Sequence, residues 1–284
     1  MSDNGLETGS LRYTMPLPLV YYGVPLPGKA NPYIVLLSKN NGVVETMISI
    51  EEAEKTSSVT IRGITLGWRY DVAIKSFVDE LSSRLEQPLQ IEISISVEGL
   101  AYPPAASVYA VTTLALVQAV SEQGGYELSP QEVLQAANSI DQEGGVDLDF
   151  VDAMRTALVS RKSIVYRRGE EPVELGTGKE MELELVGEED IGDDITSKLE
   201  DPLYSEITRL LGLNVIEVVH KLREKSPGNN TDLSIYERIE NAAYYMLYGA
   251  NPPDPGCKWV PSLQRVYGVC RTGMNLGDRV VFLL

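Results

Sequence analysis

Residues Glu98–Val120 read EGLAYPPAASVYAVTTLALVQAV, and the fold turns on what this stretch is. Just before it, Gln90–Val97 (QIEISISV) alternates strictly between polar and apolar residues, the period of a half-buried strand. Within it, Ala105–Val120 is apolar nearly all round, which predicts a central helix buried on every side. Strand, short loop, then a helix that opens on small side chains is the usual layout of an anion site. The first turn of a helix offers unpaired N–H donors and a partial positive charge. Here the loop holds Pro103 and Pro104 where a phosphate cradle holds glycines. Proline has no N–H and a fixed φ. Each donor lost to a charged oxygen costs roughly 1.5–3 kcal/mol, so two losses weaken phosphate binding about a hundredfold or more.

Upstream, residues 17–65 read as strands and turns, with Val43–Ile50 β-branched and Asn40-Asn41-Gly42 a turn signal. Trp68–Leu85 is an amphipathic helix, its apolar residues recurring at three and four. Downstream, Ser129-Pro130-Gln131-Glu132 predicts a helix start: serine as N-cap, proline at N1 and glutamate at N3. That helix runs to about Ile140 and another spans Leu148–Leu158. Ser163–Tyr166 and Glu180–Val186 read as strands. Asp201-Pro202 opens a helix to about Leu211, followed by helices over Asn214–Lys225 and Ser234–Tyr248, with a polar turn at 226–232 between the last two. Asn251–Pro261 (NPPDPGCKWVP) fits neither a helix nor a central strand and reads as a long ordered loop or a lid. Val266–Cys270 and Arg279–Leu284 are strands. This order predicts an α+β protein with two lobes meeting near residues 168–180.

Composition narrows the classes. The 284-residue chain has room for one large domain or two modest ones. Its formal net charge of −17 argues against nucleic-acid and anionic-membrane partners. The N-terminus is polar and acidic, unlike a signal or transit peptide, and no apolar run looks long enough to span a membrane. A cytoplasmic protein is the expectation. Cys257 and Cys270 are too few for a secreted disulfide scaffold and lack metal-ligand spacing. They read as free thiols by default, with pairing left open.

Four segments have the residues for chemistry. Pro27-Gly28-Lys29-Ala30-Asn31 sets a lysine in a turn before an apolar strand, where a point charge suits a phosphate or a developing alkoxide. The second is the 98–106 loop with its helix. The third, residues 141–149 (DQEGGVDLD), places acidic groups beside paired glycines, able to take a proton or hold Mg²⁺, or simply to cap the next helix. The fourth, residues 270–278 (CRTGMNLGD), is a glycine-containing loop before a terminal strand. Tyr21, Tyr22, Trp68 and the 251–261 loop are further lining candidates, for which apolar packing is the default.

Taken in order, these segments resemble the GHMP kinase superfamily, with the mevalonate-kinase-like members nearest. Pro27–Asn31 is similar to the family's first motif, often A-P-G-K. Gly99–Ala110 sits where its phosphate loop precedes a helix, and 143–147 (EGGVD) is similar to its S-G-I-D region. Residues 272–284 resemble its third motif. Residues 1–10 read as a mobile tail, and the resemblance implies a ribosomal-protein-S5-type lobe over 11–172, a ferredoxin-like lobe over 173–284, and a cleft for ATP-Mg²⁺ and a small acceptor. Lys29 and Asp147 would be catalytic. Gly99, Tyr102, Ala105, Ala106, Ser107 and Gly273 would contact nucleotide, and Glu143 and Ser107 would hold Mg²⁺. The implied activity is phosphorylation of a hydroxyl on a small, mevalonate-like acid. The altered loop, A-Y-P-P-A-A-S against the family's G-L-G-S-S-A, supports an alternative: a protein of this fold that binds a ligand or partner without phosphoryl transfer. An ATP-dependent decarboxylase is a third reading, and a homodimer is compatible with all three.

Overall fold

Helix α2 (Ala105–Gln123) forms where the apolar run predicts it, and 15 of its 19 residues are buried. By length and mean hydropathy it is apolar enough to cross a membrane, contrary to the reading of the sequence, but here it is enclosed by the rest of the protein. The computed structural model describes residues 9–26, 29–143, 148–191, 202–224, 232–263 and 265–284.

Two sheets flank this helix. The first orders its four strands β1 (Ser10–Pro16), β4 (Val43–Glu52), β6 (Leu89–Glu98) and β5 (Ser58–Arg62). Only β5–β6 is parallel, because helix α1 (Trp68–Leu85) makes the crossover between them. The second sheet, of eight strands, begins β10 (Cys257–Ser262), β11 (Arg265–Arg271), β9 (Glu180–Asp190), β12 (Asp278–Leu283) and β3 (Tyr33–Ser38). β3 pairs along one edge with β2 (Pro18–Tyr22). Its other edge is shared end to end by β7 (Ile164–Tyr166), at residues 33–35, and β12, at residues 37–38. Ser163 closes the junction between them: its Oγ accepts from Leu37 N (3.0 Å) and donates to the Leu283 carbonyl (2.7 Å). β8 (Val173–Glu174) lies outside β7.

Helices α3 (Pro130–Glu143) and α4 (Asp149–Ser160) pack on α2. The capping box at Ser129 forms, with Ser129 N donating to Glu132 Oε2 (2.8 Å). At the centre of these three helices, Arg155 is 0% exposed. Its guanidinium donates to both oxygens of Asp141 (2.7 and 2.9 Å), to Asn138 Oδ1 (2.8 Å) and to Thr113 Oγ1 (3.0 Å). Tyr109 Oη donates to Asp141 as well (2.8 Å). Every strong polar group is satisfied, which is the condition for burying such a pair.

Helices α5 (Pro202–Arg223) and α6 (Ser234–Tyr248) build a second, smaller core with β10 and β11, around Leu211, Tyr244, Leu247, Trp259 and Val266. Three expectations change here. The two helices expected either side of residue 212 are one: Gly212 stays helical where the Asn31–Pro32 turn lies about 4.0 Å from the place a Cβ would occupy. Residues 257–261, expected in a loop or lid, belong to strand β10, an edge strand where the missing N–H of Pro261 is tolerated. And Cys257 and Cys270, directly opposed in the β10–β11 register, form a disulfide rather than two free thiols. Of the tail expected over residues 1–10, residues 1–8 lie outside the described residues and Ser10 already begins β1; residues 225–231 of the polar turn also lie outside them.

Arg155→Met should lower unfolding free energy in urea by about 3–5 kcal/mol, since Asp141 would stay buried without its partner. Reducing the disulfide closes off less chain entropy, across a separation of 13 residues. It should cost about 2–3 kcal/mol in the same measurement.

Candidate functional site

The 98–104 loop leaves β6 through Gly99, whose φ of +76° suits glycine. It then crosses the end of the larger sheet. Ala101 N donates to Asp278 Oδ2 (2.8 Å), and Tyr267 Oη donates to the Tyr102 carbonyl (2.5 Å). The Tyr102 side chain points away and is 76% exposed. Pro104 takes the N-cap position of α2 and supplies no side-chain cap. The cap comes from elsewhere: the first helical amide, Ala105 N, donates to Glu188 Oε1 on β9 (3.0 Å). Ser262 Oγ donates to the same oxygen (2.5 Å), and Arg265 pairs with Oε2 (3.3 Å). A carboxylate of the protein therefore occupies the helix end that a bound anion would use.

The 272–277 loop shows the same arrangement. It folds around Glu184, also on β9 and 0% exposed. Gly273 N and Leu276 N each donate to a carboxylate oxygen at 2.9 Å, and Arg279 Nε stands 3.7 Å away. The Leu276 amide, with those of Gly273 and Asn275, holds this carboxyl below its ordinary range against the opposing effect of burial. Gly277 has no alternative, because a Cβ there would come 2.1 Å from the Leu185 carbonyl oxygen. The second and fourth segments thus meet, and both spend backbone donors on glutamates of one strand.

The first segment lies against other elements. Lys29 is exposed in a turn made by Lys29 N to Leu26 O (3.0 Å) and Asn31 N to Lys29 O (3.1 Å). Arg167 donates to the Ala30 carbonyl (3.0 Å), and Asn31 is buried with its amide on the Val24 carbonyl (2.9 Å). Asp147, with Gly144–Val146, Pro27 and Gly28, lies outside the described residues, as does the side chain of Glu143. Ala106 and Ser107 are buried in the core. The Ser107 hydroxyl is spent on the Pro18 carbonyl (2.5 Å) and does not face solvent or a cleft. Among the described residues no group of three or more His, Cys, Asp or Glu side chains could hold a metal ion. At the α2 end the described donors are thus spent inside the protein, the Ala105 amide on Glu188 and the Ser107 hydroxyl on Pro18.

The remaining lining candidates divide. Trp68 is 69% exposed. Tyr21 and Tyr22 are buried in a charged cluster not anticipated from the sequence, in which Lys258 pairs with Glu240 and donates to the Tyr21 carbonyl. Its ammonium lies 3.6 Å from the Tyr22 ring centre. Arg271 grips Glu237 alongside (3.0 Å).

No family model matches the chain, and no curated protein is similar to it in sequence. Solved structures are similar in shape. Mevalonate kinase from Methanococcus jannaschii superposes with a TM-score of 0.62 at 11% identity, over 98% of this chain and 99% of that one. The fold is that of the GHMP kinases. L. major mevalonate kinase in complex with R-mevalonate gives 0.60 at 16% identity, over 100% and 90% of the two chains. Mevalonate pyrophosphate decarboxylase from Streptococcus pyogenes gives 0.58 at 13% identity, over 98% of each. Kinases and a decarboxylase share this GHMP fold, so the fold does not choose between their reactions.

Because the Glu184 carboxyl is held below its unfolded value, its contribution to stability is present above the ordinary carboxylate range. It is lost as pH falls through the folded value. Protection of the Gly273 and Leu276 amides against hydrogen exchange should therefore be lost only as pH falls below the ordinary carboxylate range. Glu184→Gln should lower it at neutral pH.

Proposed function

We propose that this GHMP-fold protein works by binding a ligand or partner and does not transfer phosphate. The observation that supports this is the state of the α2 N-terminus. Pro103 and Pro104 supply no donors, and the Ala105 amide is committed to Glu188. A nucleotide phosphate brought to this end would meet a carboxylate already satisfied by a serine hydroxyl and an arginine. Like charges at that distance repel, and displacing Glu188 would leave Ser262 and Arg265 to find new partners. Ser107, the candidate metal-holding hydroxyl in the first turn of α2, is directed into the core. Phosphoryl transfer depends on positioning and charge neutralisation, and the described residues at this end turn their donors to Glu188 and Pro18 instead.

Calorimetric titration of the full chain with ATP-Mg²⁺ tests the reading. No saturable heat is expected up to millimolar ATP, and no ADP should form with mevalonate present. Saturable binding with ADP formation, lost in Lys29→Ala and Asp147→Ala, would replace this reading with the kinase one. Glu188→Ala should cost about 1 kcal/mol of stability as a lost helix cap. It should still not bind ATP, because the prolines remain.

A further inference from the structure

We infer that the cavity between α6 and the 251–256 turn is a binding site for a zwitterion with an apolar body, the chemistry of a free apolar or aromatic α-amino acid. This site is separate from the α2 end, and the inference does not depend on how that end is read. The cavity measures about 600 Å³, within the usual range for small-molecule sites. One wall is a face of α6 that includes Arg238, Ala242 and Tyr245, and the other is the turn with Pro252, Pro253 and Pro255. Proline rings, the Tyr245 ring and the Ala242 methyl make that lining largely apolar.

The turn is fixed in place before any ligand arrives. Trp259 Nε1 donates to the Asn251 carbonyl (2.6 Å), Cys257 N to the Asp254 carbonyl (2.9 Å), and Arg271 N to the Gly256 carbonyl (3.2 Å). Asn241 on α6 binds both the Cys257 carbonyl (3.0 Å) and the Trp259 amide (2.9 Å), and the disulfide ties the strand base to β11. Three prolines restrict φ within the turn itself. A preformed wall costs little ordering entropy on binding. Of the segment expected as an ordered loop or a lid, residues 251–256 form this ordered wall and 257–261 belong to β10.

The charges around the cavity select the ligand. Four charged side chains line it: Glu237, Arg238, Asp254 and Arg271. Arg271 gives Nε and Nη2 to Glu237, so that pair is neutral within itself. Among the described residues neither Arg238 nor Asp254 makes a side-chain hydrogen bond or close ion pair, and Asp232 acts on Arg238 only through space. One unpaired cation and one unpaired anion at the same apolar cavity complement a carboxylate and an ammonium on one molecule. A simple anion would be attracted by Arg238 and opposed by Asp254, and a simple cation the reverse. A zwitterion satisfies both, with the Nη1 of Arg271 available as a second donor to its carboxylate.

Ligand-observed NMR and calorimetry on the full chain, using L-phenylalanine and L-leucine as probes, test this. Each should bind with a dissociation constant below about 1 mM. N-acetyl-phenylalanine, which lacks the ammonium, and phenylalaninamide, which lacks the carboxylate, should each bind about tenfold or more weakly. Arg238→Ala should abolish the preference for phenylalanine over phenylalaninamide, and Asp254→Asn its preference over the N-acetyl form. Both residues are exposed, so the fold should tolerate these changes. Ala242→Trp, also at an exposed position, should fill the cavity and abolish binding. Failure of both amino acids to bind the wild type at about 10 mM would overturn the inference. So would equal binding of the blocked derivatives, or binding unchanged by Ala242→Trp.

Discussion

Helix α2 has no face to give to water, and the rest of the molecule is arranged around that constraint. A helix apolar on every side must be enclosed on every side. Strands β1, β2, β4 and β10 and helices α3 and α4 all touch it, so it takes surfaces from both sheets and from both ends of the chain. Most of its buried polar side chains find partners inside, although Thr112 Oγ1 does not. Ser107 reaches back to the Pro18 carbonyl, while Tyr109 and Thr113 join the Arg155–Asp141 network. That network locks α2, α3 and α4 into one register by charge and hydrogen bonding, where apolar packing alone would permit sliding.

The same enclosure shapes the candidate site. An enclosed helix still has an N-terminus with unsatisfied amides, and two prolines before it remove the local means of capping. The demand is met from β9 by Glu188. One strand thus closes both loops that resemble phosphate-contacting motifs, Glu188 at the helix end and Glu184 in the 272–277 loop. A protein that bound phosphates in both places would need those donors free. Here those donors are used inside the molecule.

Much of this was legible in the sequence. The strict alternation of Gln90–Val97, the apolar run of α2 and the capping box at Ser129 each act through neighbours in the chain. The structure shows them close to the predicted positions. What was not legible depends on strands far apart in sequence. Glu184 belongs to a run in which Glu180, Glu182 and Glu184 alternate with apolar residues, so it looks like any outward-facing glutamate. Only the 272–277 loop, folding over it, makes it fully buried. Glu188 gives no more signal, since its partners come from residues 105, 262 and 265. The pairing of Cys257 with Cys270 followed from the β10–β11 register, which thirteen residues of separation do not specify. The Pro103–Pro104 anomaly was visible at once, but its resolution required the strand that answers it.

The position of β12 also bears on how the chain is made. β3 is complete within the first forty residues, yet the edge it shares with β7 stays open until residues 282–283 arrive. β9 likewise waits for β12 along most of its length. During synthesis at about 5–20 residues per second, that edge is unpaired for on the order of ten seconds or more after β3 emerges. An apolar strand with an open edge is a template for mispairing with another nascent chain. Part of this edge is therefore exposed to mispairing during translation until the late strand arrives between β3 and β9.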